Sequence, residues 1–443
     1  MNAEIVSKLV RAGMRESAAR EKATLFQAAE SALATGSGQL LRCYVPGRIE
    51  ILGKHTDYAG GRSLLCAAER GICVAACARN DVTIHITDEV RHVETASPLA
   101  PDLELPSVGW TVYPKTVARR IARNFAPPLR GADIAIASDL PAAAGMSSSS
   151  ALVVAIWSVL SGVNQLSERD EYRGAIQSTE ELAEYLGCIE NGQSYRSLVG
   201  DRGVGTFGGS EDHTAILTAR PGSLIQYSFC PVHFECAINL PSGYMFVIGS
   251  SGVVADKIGS AREKYNKASN TAKAVLAAWN CRSGVICTSL AAALSSSPEA
   301  PEAIRKILRD PGFSAFDSDS LLRRFEQFSL ESEIIVPQAS AALSRGDVLR
   351  FGNLVDQSQQ AAEELLANQV PETIALARSA RNLGAAAASA FGAGFGGSVW
   401  ALVRADDAEA FSNAWAACYH EQFPAASQTQ FFVTAPGPPL RFI

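Results

Sequence analysis

Apolar and polar positions recur along this chain at two different spacings, and the switches between them mark out its elements. Over residues 1–36 charge and hydrophobicity alternate at helical spacing, which predicts one or two amphipathic helices ending at the Gly36-Ser37-Gly38 break. From Cys43 to Ile86 the pattern becomes strand-like. The runs CYVPGRIEILG, SLLCAAERGICVAACA and DVTIHIT, separated by Pro-Gly and Gly-Gly turns, predict an antiparallel meander. A helix over 110–125, a strand over 132–140, a helix from Ser147 to Gly162 and a further one over roughly 170–190 follow. After a polar, glycine-rich stretch at 192–210, strands recur at 223–229 and 244–249. From about 255 helical patterns dominate until Ser398 to Arg404, and the run Ala385 to Ala388 among them suggests close helix packing. Helices and strands without regular alternation predict an α+β fold rather than a doubly wound sheet.

The length of 443 residues calls for two or three domains, each with its own core. Helical segments begin to dominate within 220–240, so the expected division is 1–235 and 236–443. With 39 Lys and Arg against 45 Asp and Glu the net charge is −6, which argues against a broad basic surface for nucleic acid or anionic membrane. Any anionic ligand must then be held by a local device. The longest apolar stretch, Ala151 to Leu160, is too short to span a bilayer. The first thirty residues lack the apolar core of a signal peptide. Ten cysteines, most of them among apolar neighbours and none in a CxxC pair, read as buried reduced thiols and an expected cytoplasmic setting.

Three glycine-rich segments concentrate the chemistry. LPAAAGMSSSSAL, 140–152, is a strand end followed by a small-residue turn that opens a helix. Unpaired N–H groups and the helix dipole suit a phosphate there, although a serine run before a helix also serves as a plain N-cap. It has neither the lysine of a Walker loop nor the spacing of a Rossmann turn. AFGAGFGGSVW, 390–400, allows a backbone that lies tightly against a ligand or another loop. PGRIEILGKHTDYAGG, 46–61, crowds Arg48, Lys54, His55 and Asp57 at the end of an apolar strand, where polar groups of this kind form a site.

In this order the three segments resemble the GHMP small-molecule kinase superfamily, and 46–61 with 140–152 resemble its galactokinase branch. WTVYPKTV at 110–117 and the segment from Arg345 to Ser358 are similar to further parts of that family. The resemblance implies a two-lobed α+β fold with the active site in the cleft between lobes, and an ATP- and Mg²⁺-dependent sugar 1-kinase. It implies that Trp110 lies near the adenine, that Gly145, Met146, Ser147, Ser148 and Ser149 cradle the triphosphate, and that Ser149 and Glu190 hold Mg²⁺. Asp212 in GGSEDH takes the place of the base, with Glu211 and His213 as neighbouring substitutes and Arg48 as its charge partner. Lys54, His55, Asp57, Gly209 and Tyr265 map onto sugar-binding positions.

Lys54 departs from the family pattern, which has a glutamate facing the hydroxyl of the sixth sugar carbon. An ammonium there suits a uronic acid, fills space beside a pentose such as arabinose, or pairs with Glu211 and leaves galactose acceptable. A non-catalytic sugar and ATP sensor on the same fold is a further alternative. The 192–206 stretch fits either a lid or a partner surface.

Overall fold

The computed structural model describes residues 2–33, 39–141, 144–254, 262–310 and 316–443. The expected break at Gly36-Ser37-Gly38 and residues Ala142 and Ala143 of the first glycine-rich segment lie outside them. The described chain forms two sheets with helices packed on both. The first contains β1 (Leu40–Leu52), β2 (Arg62–Ala78), β3 (Thr83–Asp88), β4 (Val93–Pro98), β5 (Ala132–Ser138), β6 (Ser223–Ser228) and β7 (His233–Asn239). The second contains β8 (Tyr244–Ser250), β9 (Ala387–Phe391), β10 (Ser398–Arg404) and β11 (Gln430–Thr434), while the short β12 (Arg441–Phe442) returns to β1.

The first sheet runs β12-β1-β2-β5-β3-β4, with β6 on β2 and β7 on β6. The long β2 organises it. Its second half, from Ile72 to Ala78, pairs with β5, while Arg62 to Leu65 pair with β6. Strand β1 is antiparallel to β2 throughout, but its register slips between Pro46 and Arg48 and again between Glu50 and Leu52. Such irregularities turn side chains out of strict alternation, and Arg48 and Glu50 lie between the two slips. The second sheet, ordered β11-β8-β10-β9, is antiparallel at every pairing.

Burial explains why the helix Ser148–Asn164 has no polar face. Every residue from Ala151 to Leu160 is buried, so it is a core helix. Trp400 and Trp415, both fully buried, anchor the core around the second sheet. A separate cluster of Trp279, Phe325 and Phe328 joins the helices Arg262–Arg282 and Ser318–Ser329. None of the ten cysteines is disulfide-bonded; Cys43, Cys66, Cys73 and Cys77 are buried, whereas Cys230 and Cys281 are exposed, so burial does not extend to every thiol.

Several expectations are corrected. The 170–190 helix is two, Asp170–Arg173 and Thr179–Asn191, the second capped where Ser178 Oγ accepts from the Glu181 N–H at 3.1 Å. The helical reading after 255 missed β9, β11 lies beyond the last segment it named, and the alanine run leads into β9 rather than a helix. Close packing is nevertheless its role: a methyl group added at Gly352 of the helix Val348–Ala361 would collide with the Ala386 carbonyl.

Candidate active site

The end of β1, the loop after it and the start of the helix Glu211–Thr218 border a pocket that is partly open to solvent. Arg48, Glu50, His55, Asp57, Glu190, Gly209, Glu211, Asp212, His213 and Tyr265 line it, together with Gly392 and Ala393 of the late glycine-rich segment. Arg48 is its electrostatic centre. Its Nη2 lies 2.7 Å from Asp212 Oδ1, 3.4 Å from Glu211 Oε1 and 3.7 Å from Glu50 Oε2, and its Nη1 donates to the Gly145 carbonyl at 2.9 Å. Burial works against the charged guanidinium, but Asp212, Glu211 and Glu50 outweigh it and hold the Arg48 pKa above its ordinary value. Arg48 is therefore a permanent cation.

Two glycine-rich loops meet on this arginine. Gly145 has φ +76° and Gly392 φ +83°, and a Cβ at Gly392 would stand 2.9 Å from the Gly145 carbonyl oxygen. Only glycine allows this approach. The backbone N–H of Arg48 donates to the Met146 carbonyl at 3.2 Å, so β1 is stitched to the turn that opens the Ser148–Asn164 helix. The late segment thereby backs the phosphate-type turn.

On the acceptor side Asp57 accepts from the Tyr58 N–H at 2.8 Å through Oδ1 and from the Glu211 N–H at 3.2 Å through Oδ2. A side chain at Gly209 would collide with that carboxylate. Tyr265 is buried, with its ring centroid 5.2 Å from that of His55. His55, at φ +58°, has Nδ1 3.0 Å from the Tyr58 hydroxyl and Nε2 2.9 Å from the Ala393 carbonyl. Since a carbonyl only accepts, Nε2 carries a proton. His55 thus ties the 53–61 loop to the glycine loop while facing the cavity.

Lys54 and Ser149 depart from their expected positions. Lys54 does not line the cavity. It is 1% exposed, and its Nζ donates to Ser389 Oγ at 2.8 Å and Ser358 Oγ at 3.0 Å. In the resulting network Glu331, on the π-helical turn Leu330–Ile335, accepts from the Gly53 N–H at 2.7 Å and from Ser358 Oγ at 2.9 Å. Neighbours in a loop point to opposite sides, and both serines come from the last hundred residues, so the site for the ammonium was not visible in the local motif. Met146 offers only its backbone, because its side chain is 1% exposed within the core. Ser149 is half-buried on the first helical turn, and it is Ser150 Oγ that reaches Glu190 Oε2 at 2.9 Å and Asp212 Oδ2 at 3.1 Å. Successive helical residues differ by about 100° in direction, and a run of four serines gives no sign of which one turns inward. Trp110 is half-buried just ahead of the helix Val112–Asn124 and does not line this cavity.

The remaining phosphate-loop residues lie at the turn and at the start of the helix it opens. Ser147 takes the left-handed conformation at φ +57°, with its Oγ buried and no hydrogen-bond partner. Ser148 begins the helix. Glu190 lies near the end of the helix Thr179–Asn191, with its Oε2 3.3 Å from His213 Nε2. Sequence reasoning passed over Ser150, Glu50 and Glu331. Glu50 carried a signal, being a charged residue at an otherwise apolar position of β1.

The 192–206 stretch is pinned rather than free. Arg119 Nε lies 2.6 Å from Asp201, Arg202 Nη1 donates to the Leu105 carbonyl at 3.0 Å, and the Val204 N–H donates to the Glu190 carbonyl at 2.8 Å. It braces the end of the glutamate-bearing helix against the segment before Trp110.

Comparison with known proteins agrees with this geometry. Family models match for the galactokinase galactose-binding signature over 37–78, the GHMP kinases N terminal domain over 112–195 and the GHMP kinases C terminal over 339–421. A galactokinase of Roseiflexus sp. (strain RS-1) is 27% identical over 383 residues, covering 85% of this chain and 86% of that protein. The structure of Lactococcus lactis galactokinase complexed with galactose superimposes with a TM-score of 0.77 at 22% identity, over 95% of this chain and 99% of that one. Methanococcus jannaschii mevalonate kinase aligns over 91% and 99% of the two chains with a TM-score of 0.53 at 13% identity. The fold is the two-lobed GHMP kinase fold, and the chain carries the GHMP kinase N- and C-terminal signatures together with the galactokinase galactose-binding signature.

Proposed function

We propose that this protein transfers the γ-phosphoryl group of ATP to the anomeric hydroxyl of a galactose-like monosaccharide. The observation that carries the reading is the Asp212–Arg48 contact of 2.7 Å in the lining of the pocket, with Arg48 also bonded to the Gly145 carbonyl of a turn suited to phosphate. Phosphoryl transfer depends on positioning and charge stabilisation. Asp212 accepts the hydroxyl proton as the sugar oxygen attacks, and Arg48 offsets the charge that gathers on the transferred group. Asp57 and the backbone at Gly209 grip adjacent sugar hydroxyls, with Tyr265 and His55 forming the wall. The first helical N–H groups, the Ser147 backbone and the hydroxyls of Ser148 and Ser149 face the triphosphate, and Trp110 flanks the adenine side. Within this reading the lobes divide just after β7 rather than at 235 and 236, a boundary that would cut this strand of the first sheet.

Glu190 and Ser150 supply a carboxylate and a hydroxyl that converge within 2.9 Å. This hard-oxygen pair fits Mg²⁺, which keeps water and phosphate oxygens for its other positions. Bound there, the ion would neutralise charge on the phosphate oxygens.

The uronic acid and arabinose readings rested on Lys54 facing the acceptor and are not favoured, because its ammonium is turned away. Five carboxyl groups line the cavity against one arginine, a poor setting for an anionic sugar. A coupled assay of ADP release from MgATP with galactose, galacturonate, glucuronate and arabinose tests the reading. Galactose-type neutral hexoses should lead the panel; preference for a uronate, or sugar binding with no turnover, would overturn it.

A further inference from the structure

Arg48 meets three carboxyl groups, yet phosphoryl transfer asks for only one of them. Glu50 and Glu211 approach the same Nη2 that Asp212 holds, at 3.7 and 3.4 Å. Both are at least 95% buried, and Glu50 Oε1 is shut off from solvent with no hydrogen-bond partner. Glu211 is fixed in place: its Oε2 accepts from Ser63 Oγ at 2.7 Å, and its N–H donates to Asp57. An ionised Glu50 can only accept, and would leave that oxygen uncompensated beside a second carboxylate. A protonated Glu50 has a donor to place there.

We propose that Glu50 and Glu211 hold one proton between them, and that this pair is a positioning device that keeps the Arg48 guanidinium on Asp212. The proposal rests on the reading of Arg48 and Asp212 as the catalytic pair. Burial pushes both carboxyl groups above their ordinary value, and in Glu211 the neighbouring Glu50 adds to it. The other charged groups facing the pair are Arg48 and Lys54 from β1 and its end, Asp57 from the sugar loop, Asp212 from the following helix and Glu331 from the π-helical turn. From β2 the contact is the neutral Ser63. With the proton in place, Arg48 faces Asp212 and one further negative charge. Once it is lost at higher pH, a third charge competes with Asp212 for the guanidinium and stands beside the arriving triphosphate. The pair should therefore set an alkaline limit on turnover.

Two measurements test this. Infrared pH titration of the wild-type protein should reveal a protonated carboxyl band at neutral pH that is lost in Glu50→Gln and in Glu211→Gln. In the pH profile of sugar kcat/KM, taken relative to each enzyme's own plateau, Glu50→Gln should move the alkaline limb up by about one unit or more, and the double variant no further. Absence of the band from the wild type, its survival in both variants, or an alkaline limb that superimposes on the wild type would each overturn the proposal. Glu211→Gln carries the same comparison if Glu50→Gln does not fold. If no sugar yields ADP, the kinase reading fails on its own, and the infrared arm still decides the pair.

Discussion

Replacing Lys54 by glutamate, the residue usual in galactokinase-like sequences, should unfold this protein more readily rather than retune its sugar preference. Ser358 Oγ lies 3.0 Å from the ammonium and 2.9 Å from Glu331. Two charges bridged in this way are within about 6 Å, and at an effective dielectric of about 20 their attraction is about 3 kcal/mol. Lys54→Met removes it and leaves Glu331, fully buried and with Oε2 unpartnered, without compensation. Breaking a buried pair in this manner costs about 3–5 kcal/mol. Lys54→Glu also adds a repulsion of similar size, so the swing approaches about 6 kcal/mol, comparable to the whole stability of many domains. Urea unfolding of wild type, Lys54→Met and Lys54→Glu, followed by circular dichroism, should give midpoints that fall in that order. Sugar preference should stay the same in whatever fraction remains folded. A Lys54→Glu protein of wild-type stability that shifts its preference among sugars would refute the reasoning, because the side chain would then have to face the acceptor.

Three further outcomes are expected. Asp212→Asn should lower kcat by about 10²- to 10⁴-fold with little change in sugar KM; steady-state kinetics that retain about a tenth of wild-type kcat would remove Asp212 from the role of base. Ser150→Ala should raise the Mg²⁺ concentration needed for half-maximal rate more than Ser149→Ala does, since Ser150 Oγ donates to Glu190 at 2.9 Å; the reverse order in a Mg²⁺ titration would return the role to Ser149. Glu211 gives a pH dependence of folding. Burial and the neighbouring Glu50 raise its carboxyl group above the ordinary 4.5 in the native state, so above about pH 4.5 the native state binds more protons than the unfolded one and stability falls with rising pH. The slope is at most about 1.4 kcal/mol per unit for one proton. The stability of wild type minus that of Glu211→Gln, from denaturant titrations, should therefore decline from about pH 4.5 upward; a difference that stays flat or rises would contradict the buried, proton-holding state.

Much of the architecture followed from local pattern. The largely apolar runs of β1 and β2, the glycine-punctuated turns and the all-apolar run inside Ser148–Asn164 can each be read within a window of about twenty residues, because apolar runs and turn chemistry are local properties. Strands β9 and β11 escaped because alanine-rich and short polar-edged segments carry little β signal, and their pairing with β10 and β8 supplies the missing preference. The three motifs likewise announced a phosphate turn and a sugar loop, since glycine and charged residues clustered at strand ends have few other uses.

By itself the sequence determined which residue types the site contains and the order of its motifs along the chain. Which way each side chain turns was decided only by the tertiary structure. Lys54 and His55 are adjacent, yet one is buried against Ser358 and Ser389 while the other faces the cavity. Ser149 and Ser150 are chemically identical, and the direction of a helix decides between them. Glu50 and Glu211 are far apart in the chain and meet on one nitrogen of Arg48. Charge balance and hydrogen-bond satisfaction are properties of a neighbourhood in space, and that neighbourhood is assembled from segments whose separation along the chain no local pattern records.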